Sequence, residues 1–196
     1  MIFDEFQGHC RQFLSHNIVL IGFSGSGKTT VGRYLAEVTG FTCYDVDHMI
    51  EQQMGQSVQV VFNRYGEAYF RDREQEIIKQ VSAAKHAVIA CGGGVVLNSV
   101  NVSNLKKGGK LVWMKTDPET IYNRLKQEHD RPLLNGKGIE EIMSMLSKRY
   151  CLYEEAADYE VSTDGKSVVH VGYDILRQFI DSQMLPDIDC CSLTPH

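Results

Sequence analysis

Short apolar runs separated by longer amphipathic stretches recur along this chain. Residues 17–21 (Asn17, Ile18, Val19, Leu20, Ile21) are apolar and rich in β-branched types, the pattern of a buried strand. A glycine-rich break runs from Gly22 to Gly27, and a helix is predicted over 28–38, ended near Gly40. Residues 41–47 read as a second strand running into Asp45 and Asp47. Third and fourth strands are predicted at 87–91 and 110–114, stopped by Gly92, Gly93 and Gly94 and by the turn at Asp117 and Pro118. Between the second and third strands, 49–64 and 66–84 carry a hydrophobic period nearer 3.6 than 2, which predicts helices. Further helices are predicted over 119–126 and 139–157, a last strand over 159–162 and a last helix over 168–179. The polar stretch 127–138 reads as a mobile loop.

Alternating strands and helices imply a parallel sheet covered by helices on both faces, with any ligand site outside the carboxyl ends of the strands. The chain of 196 residues, 43% of them hydrophobic, is sized for one core. The expected organisation is an N-terminal extension over 1–16, one domain over 17–180 and a disordered tail over 181–196 that holds two prolines and little periodicity.

Charge and composition narrow the partners. A net charge of -5 with a pI near 5.8 gives no general basic field of the kind that holds a nucleic-acid backbone, so nucleic acid is not expected. No apolar run approaches the roughly 20 residues that span a bilayer, and MIFDEFQGHC has neither a basic head nor an apolar stretch. The expectation is a soluble, cytoplasmic protein, with a monomer as the default. Six cysteines are scattered rather than paired as CxxC and read as reduced thiols. The seven histidines form no HExxH pair or ligand cluster, so a metal is expected to arrive with a nucleotide.

The strongest local signal is Gly22-Phe23-Ser24-Gly25-Ser26-Gly27-Lys28-Thr29, which fits G-x-x-x-x-G-K-[ST] between a predicted strand and a predicted helix. Glycines let the backbone curl so that successive N–H groups point at phosphate oxygens, and the helix N-terminus adds partial positive charge. Gly25, Ser26, Gly27, Lys28, Thr29 and Thr30 are therefore the nucleotide-binding candidates, with Lys28 reaching the β and γ phosphates and Thr29 holding magnesium. The third strand lacks the DxxG of a GTPase switch.

Asp45 and Asp47, two apart on a predicted strand, would share one face beside the phosphate loop. One could bind magnesium while the other orients and deprotonates an attacking hydroxyl; the pair also fits solvated turn aspartates. Phe70-Arg71-Asp72-Arg73-Glu74, Gly92-Gly93-Gly94, Arg131-Pro132-Leu133-Leu134 and Arg149 with Tyr150 and Tyr153 follow in order.

In this succession (DVD, GEAYFRDRE, GGG, RPLL and KRYCLYEEAA after the phosphate loop) the chain resembles the shikimate kinases from about residue 17 to residue 179. The resemblance implies a P-loop NTPase fold like that of the nucleoside monophosphate kinases, three-layer α/β/α with a central parallel sheet and a mobile lid over about 124–138. It also implies transfer of the γ-phosphoryl group of ATP, with Mg2+, to the 3-hydroxyl of shikimate. A planar guanidinium takes a carboxylate through two parallel hydrogen bonds, so Arg71 and Arg149 are the expected carboxylate clamps. Asp47 would take the reacting hydroxyl and Asp45 would join Thr29 at the metal. Gly93 and Gly94 would let backbone N–H groups approach the ring hydroxyls, and Glu74 would brace the arginines. Arg131 in the lid would stabilise the transferring phosphate, and Arg124 and Lys166 match positions beside adenine. Phe62 and Phe70 match aromatics walling the substrate pocket, and they read equally as helix core; Cys91 reads as a small buried thiol in preference to a reactive one. The alternatives are another small-metabolite kinase, for gluconate or a nucleoside monophosphate, and a binding protein or regulator that keeps the pocket without catalysis.

Overall fold

A computed structural model describes residues 7, 8, 10–12, 14–126 and 138–179. Five strands form one sheet: β1 (Asn17–Ile21), β2 (Thr42–Asp45), β3 (Ala87–Ala90), β4 (Gly109–Lys115) and β5 (Tyr159–Ser162), in the order β2-β3-β1-β4-β5. All pairings are parallel, with Leu20 opposite Ala90 on one side and Val112 on the other, and Asp45 opposite Ala90 at the far edge. This register brings the ends of β1, β2 and β3 to one edge of the sheet.

Side chains alternate across the sheet, as strand geometry requires. Ile18, Leu20, Val88, Val112 and Met114 face one layer, made by α1 (Lys28–Thr39) and α7 (Val168–Phe179). Cys10 and Leu14 are buried in that same layer, while Gln7 and Arg11 donate to the carbonyls of Glu37 and Gly40 at the end of α1. Val19, Ile21, Ile89, Leu111 and Trp113 face the other layer, built from α2 (Val46–Met54), α3 (Val58–Val81), α4 (Ser99–Gly108) and α6 (Ile139–Ala156). α5 (Pro118–Leu125) packs with α6 around Phe23, Ile121, Leu125 and Ile142.

Three local expectations are corrected. The second strand ends at Asp45 rather than 47, because the Asp45 carboxylate accepts the His48 N–H at 3.1 Å and starts α2 as its N-cap. The helix predicted over 49–64 is broken at Gly55, which is left-handed at φ 62° and ends α2. Its second part joins the helix predicted over 66–84 as α3, with Gly66 (φ 83°, ψ 169°) a kink inside it rather than a boundary. The stretch to which the pattern assigns no element forms a short 3-10 turn (Val95–Leu97) and α4. The serines, asparagines and valines of α4 have low intrinsic helix propensity, and only Asn101 and Leu105 of that helix are buried. No helix among the described residues is long and apolar enough to cross a membrane.

Candidate active site

The loop from Gly22 to Gly27 joins β1 to α1, and it curls because Gly25 (φ 81°) and Gly27 (φ 91°) take left-handed conformations closed to most other residues. Lys28 folds back inside the curl. Its ammonium donates to the carbonyls of Gly22 (2.9 Å) and Phe23 (2.7 Å) and to Ser26 Oγ (3.3 Å). Thr29 Oγ1 donates to Asp45 Oδ2 at 2.6 Å, so a hydroxyl from the first turn of α1 and the carboxylate that ends β2 stand together beside the loop. These are hard oxygen donors of the kind magnesium takes, and the pair fits that ion.

Asp45 and Asp47 do not share a strand face. Asp45 is the cap and Asp47 lies in the first turn of α2, a placement that turns the two carboxylates to different neighbours. Asp45 meets Thr29, whereas Asp47 lies against Gly92: a Cβ built on Gly92 would stand 2.7 Å from Asp47 Oδ1 and 2.9 Å from Glu74 Oε1.

The three-glycine turn after β3 is the meeting point of the site. A Cβ on Gly93 would lie 2.8 Å from both the backbone N and the Oγ of Ser24 in the phosphate loop. A Cβ on Gly94 would overlap the Arg71 guanidinium. The Gly93 carbonyl accepts from Tyr153 Oη at 2.6 Å and from Arg149 Nη1 at 3.2 Å. Asp47, Arg71, Arg149 and the phosphate loop, scattered over more than a hundred residues of sequence, thus converge on one tripeptide that no side chain could replace.

Arg71 is itself held. Nη1 donates to Glu74 Oε2 at 2.9 Å and Nη2 to Glu67 Oε1 at 3.0 Å, while its guanidinium lies over the Phe70 ring. Glu74 is fully buried, and burial pushes its carboxyl above the usual range against the downward pull of Arg71. Arg149 lies over Phe23, with its guanidinium carbon 5.3 Å from the ring centroid.

An open cleft of about 1060 Å³ runs along the phosphate loop. Gly25 to Thr30, Asp45, Asp47, Gly93, Arg124 and Lys166 line it. Arg71, Gly94 and Arg149 are not in that wall and join it through the glycine turn. Arg124 donates to the Gly25 carbonyl at 3.0 Å, and Lys166 pairs with Asp174 at 2.8 Å. Arg131 and residues 127–137 of the expected lid lie outside the described residues, as does the 181–196 tail.

Phe70 is buried in the core layer that holds Val46 and Ile50, with the Phe62 ring tilted 36° against it at a centroid distance of 4.5 Å. Cys91 lines the floor of the cleft but is buried, and burial raises its thiol well above the ordinary value. Arg33, His48 and Glu51 also line the cleft and were not singled out by sequence. For Arg33 a signal existed, since it lies one helical turn after Thr29 and so on the same face of α1.

The sequence profile described as shikimate kinase matches residues 24–181. A shikimate kinase of Moorella thermoacetica is 46% identical over 85% of this chain and 97% of its own length. One from Thermodesulfovibrio yellowstonii is 43% identical over 83% of this chain and 94% of its own. Among solved structures, the shikimate kinase from Acinetobacter baumannii in complex with shikimate superposes with a TM-score of 0.83 at 35% identity, covering 90% of this chain and 99% of that one. A gluconokinase from Sinorhizobium meliloti, 15% identical with a TM-score of 0.53 over 85% of this chain and 92% of its own, shares the fold alone. With its phosphate loop, its five-stranded parallel sheet and relatives alike over nearly their whole length, this chain belongs to the shikimate kinase family, ATP-dependent kinases that phosphorylate shikimate.

Proposed function

We propose that the cleft transfers the γ-phosphoryl group of ATP to the 3-hydroxyl of shikimate, releasing ADP and shikimate 3-phosphate. The observation that carries this reading is the convergence of Asp47, Arg71 and Arg149 on Gly92, Gly93 and Gly94, one residue of which also abuts the phosphate loop at Ser24. An acceptor seated there would be within reach of a phosphoryl group held by the loop. Positioning and charge neutralisation carry most of phosphoryl-transfer catalysis, so an arrangement that fixes both partners is the main requirement.

In this reading the backbone N–H groups of the loop and the Lys28 ammonium bind the phosphates. Thr29 and Asp45 hold magnesium, which when bound neutralises charge on the β and γ phosphates. Arg71 and Arg149 take the shikimate carboxylate through charge-assisted hydrogen bonds, and Gly93 and Gly94 admit the ring hydroxyls. Asp47 accepts the proton of the attacking hydroxyl and aligns it. Arg131 adds positive charge at the transferring group, while Arg124 and Lys166 serve the adenine end.

The net charge of -5 supports a small-molecule acceptor in preference to nucleic acid; in this reading the protein works in the cytoplasm. The working unit of this reading is a monomer, which size-exclusion chromatography with light scattering checks.

The test is ADP release from MgATP with and without shikimate, with gluconate and nucleoside monophosphates alongside. A large rise with shikimate alone is expected. A rise with another acceptor instead would keep the kinase and discard the acceptor pocket, and silence with every acceptor would leave a binding protein without catalysis.

A further inference from the structure

Tyr153 does not itself line the cleft, yet its hydroxyl bonds to Gly93, which does. It is completely buried in the last turns of α6. Its ring stacks on Trp113 of β4, with centroids 5.7 Å apart and planes 18° from parallel, and Tyr150 meets the same indole edge-on at 4.9 Å. Lys115 covers the outer side of Trp113 and Tyr150 and pairs with Glu160 on β5 at 2.9 Å. The phenol is therefore clamped between the sheet and α6, with little freedom of its own.

From that clamped position the hydroxyl reaches the Gly93 carbonyl at 2.6 Å, short for a hydrogen bond and the shorter of the two this oxygen accepts. A carbonyl oxygen only accepts, so the phenol proton is committed to Gly93. Arg149 lies against the same hydroxyl, where its charge and hydrogen bonding oppose the upward push of burial on the phenol. One oxygen atom thus touches both a backbone group and a guanidinium of the acceptor site.

We infer that Tyr153 is a positioning residue for the acceptor, setting the plane of the Gly93–Gly94 peptide and the placement of the Arg149 guanidinium through its hydroxyl. The peptide unit is planar and trans, so the Gly94 N–H points opposite to the Gly93 carbonyl. Fixing the carbonyl toward Tyr153 aims that N–H away from α6. Glycine on both sides of the bond leaves little else to hold the plane, because neither residue has a side chain to restrict rotation. A third hydrogen-bonding group at this corner, besides Arg149 and the turn itself, supplies the missing restraint.

This inference rests on the reading that shikimate is held by Arg71, Arg149 and the glycine turn. The test compares Tyr153→Phe, Arg149→Ala and the double variant by steady-state kinetics with each substrate varied. Phenylalanine keeps the ring against Trp113 and deletes only the oxygen. The expected result for Tyr153→Phe is a rise of about tenfold in the shikimate KM, the scale of one or two lost hydrogen bonds, with the ATP KM within about twofold. In the double variant the effects should be clearly less than multiplicative, because both residues act on the same corner.

A shikimate KM unchanged in Tyr153→Phe, or effects that simply multiply, would overturn the positioning role while a raised KM in Arg149→Ala upheld the acceptor pocket. An unchanged KM in Arg149→Ala would instead overturn the pocket assignment, and the inference with it. Should Tyr153→Phe lose ATP and shikimate together, the phenol oxygen serves folding and the positioning role is again wrong.

Discussion

Arg71 Nη1 donates to Glu74 Oε2 at 2.9 Å, and the carboxylate it meets is fully buried, with its other oxygen, Oε1, lacking a hydrogen-bond partner among the described residues. That second oxygen faces Gly92 next to Asp47 Oδ1. Glu74 therefore stands between the Arg71 guanidinium and the Asp47 carboxylate.

Burial raises the Glu74 carboxyl above its ordinary range, with Arg71 opposing and Asp47 adding to the rise. The folded protein holds this proton more tightly than the unfolded chain does. Stability from this group is thus present below the ordinary carboxyl value and is lost as pH rises through the folded one. Thermal midpoints of the natural protein and Glu74→Gln, measured from about pH 4 to about pH 8, should show the natural protein losing ground to the variant as pH rises. A difference that grows in the opposite direction would remove the raised carboxyl.

Asp47→Asn should lower kcat by about a hundredfold or more, the scale of a lost general base, while ATP binding followed by calorimetry stays near its natural value. Full turnover in that variant would remove Asp47 from proton transfer.

Gly94→Ala isolates the close approach of backbone and guanidinium. Gly94 has φ -104°, which alanine adopts without strain, so the cost comes from the methyl group meeting Arg71. Overpacking of this kind costs about 1–3 kcal/mol, and Arg71 must move to relieve it. The shikimate KM should rise about tenfold or more; an unaffected KM would show that Arg71 can shift without loss.

Thr29→Val keeps the shape of the side chain and deletes the hydroxyl that meets Asp45 at 2.6 Å. The magnesium concentration for half-maximal rate should rise about tenfold, read by titrating the ion at fixed ATP. An unchanged requirement would place the ion elsewhere.

Gly66→Ala tests the kink. A Cβ there would meet nothing within 4 Å, so any penalty is purely backbone. The φ 83°, ψ 169° conformation belongs almost wholly to glycine, and the variant should lose about 1–3 kcal/mol in denaturant unfolding. No loss would mean that α3 straightens freely.

Much of this protein was legible as sequence because the decisive signals are local. The strands at 17–21 and 87–91 stood out because both faces of a central parallel strand are buried, which writes a continuous apolar run. The phosphate loop stood out because its glycines, lysine and threonine must be contiguous to wrap a phosphate. Boundaries set by a single side chain were harder: Asp45 reads as strand until its carboxylate is seen capping α2, and α4 hid because Val, Asn and Ser carry little helical signal.

The sequence by itself determined the fold class, the nucleotide loop and the family, since each is written in residues adjacent to one another or in an order that survives along the chain. Only the tertiary structure decided that Asp45 turns to Thr29 while Asp47 turns to Glu74 and Gly92, and that Tyr153 reaches Gly93 from sixty residues away. The physical reason is that these partners meet only when β1, β2 and β3 lie in register and α6 packs across the sheet, and no local pattern encodes the orientation of a side chain toward a distant one.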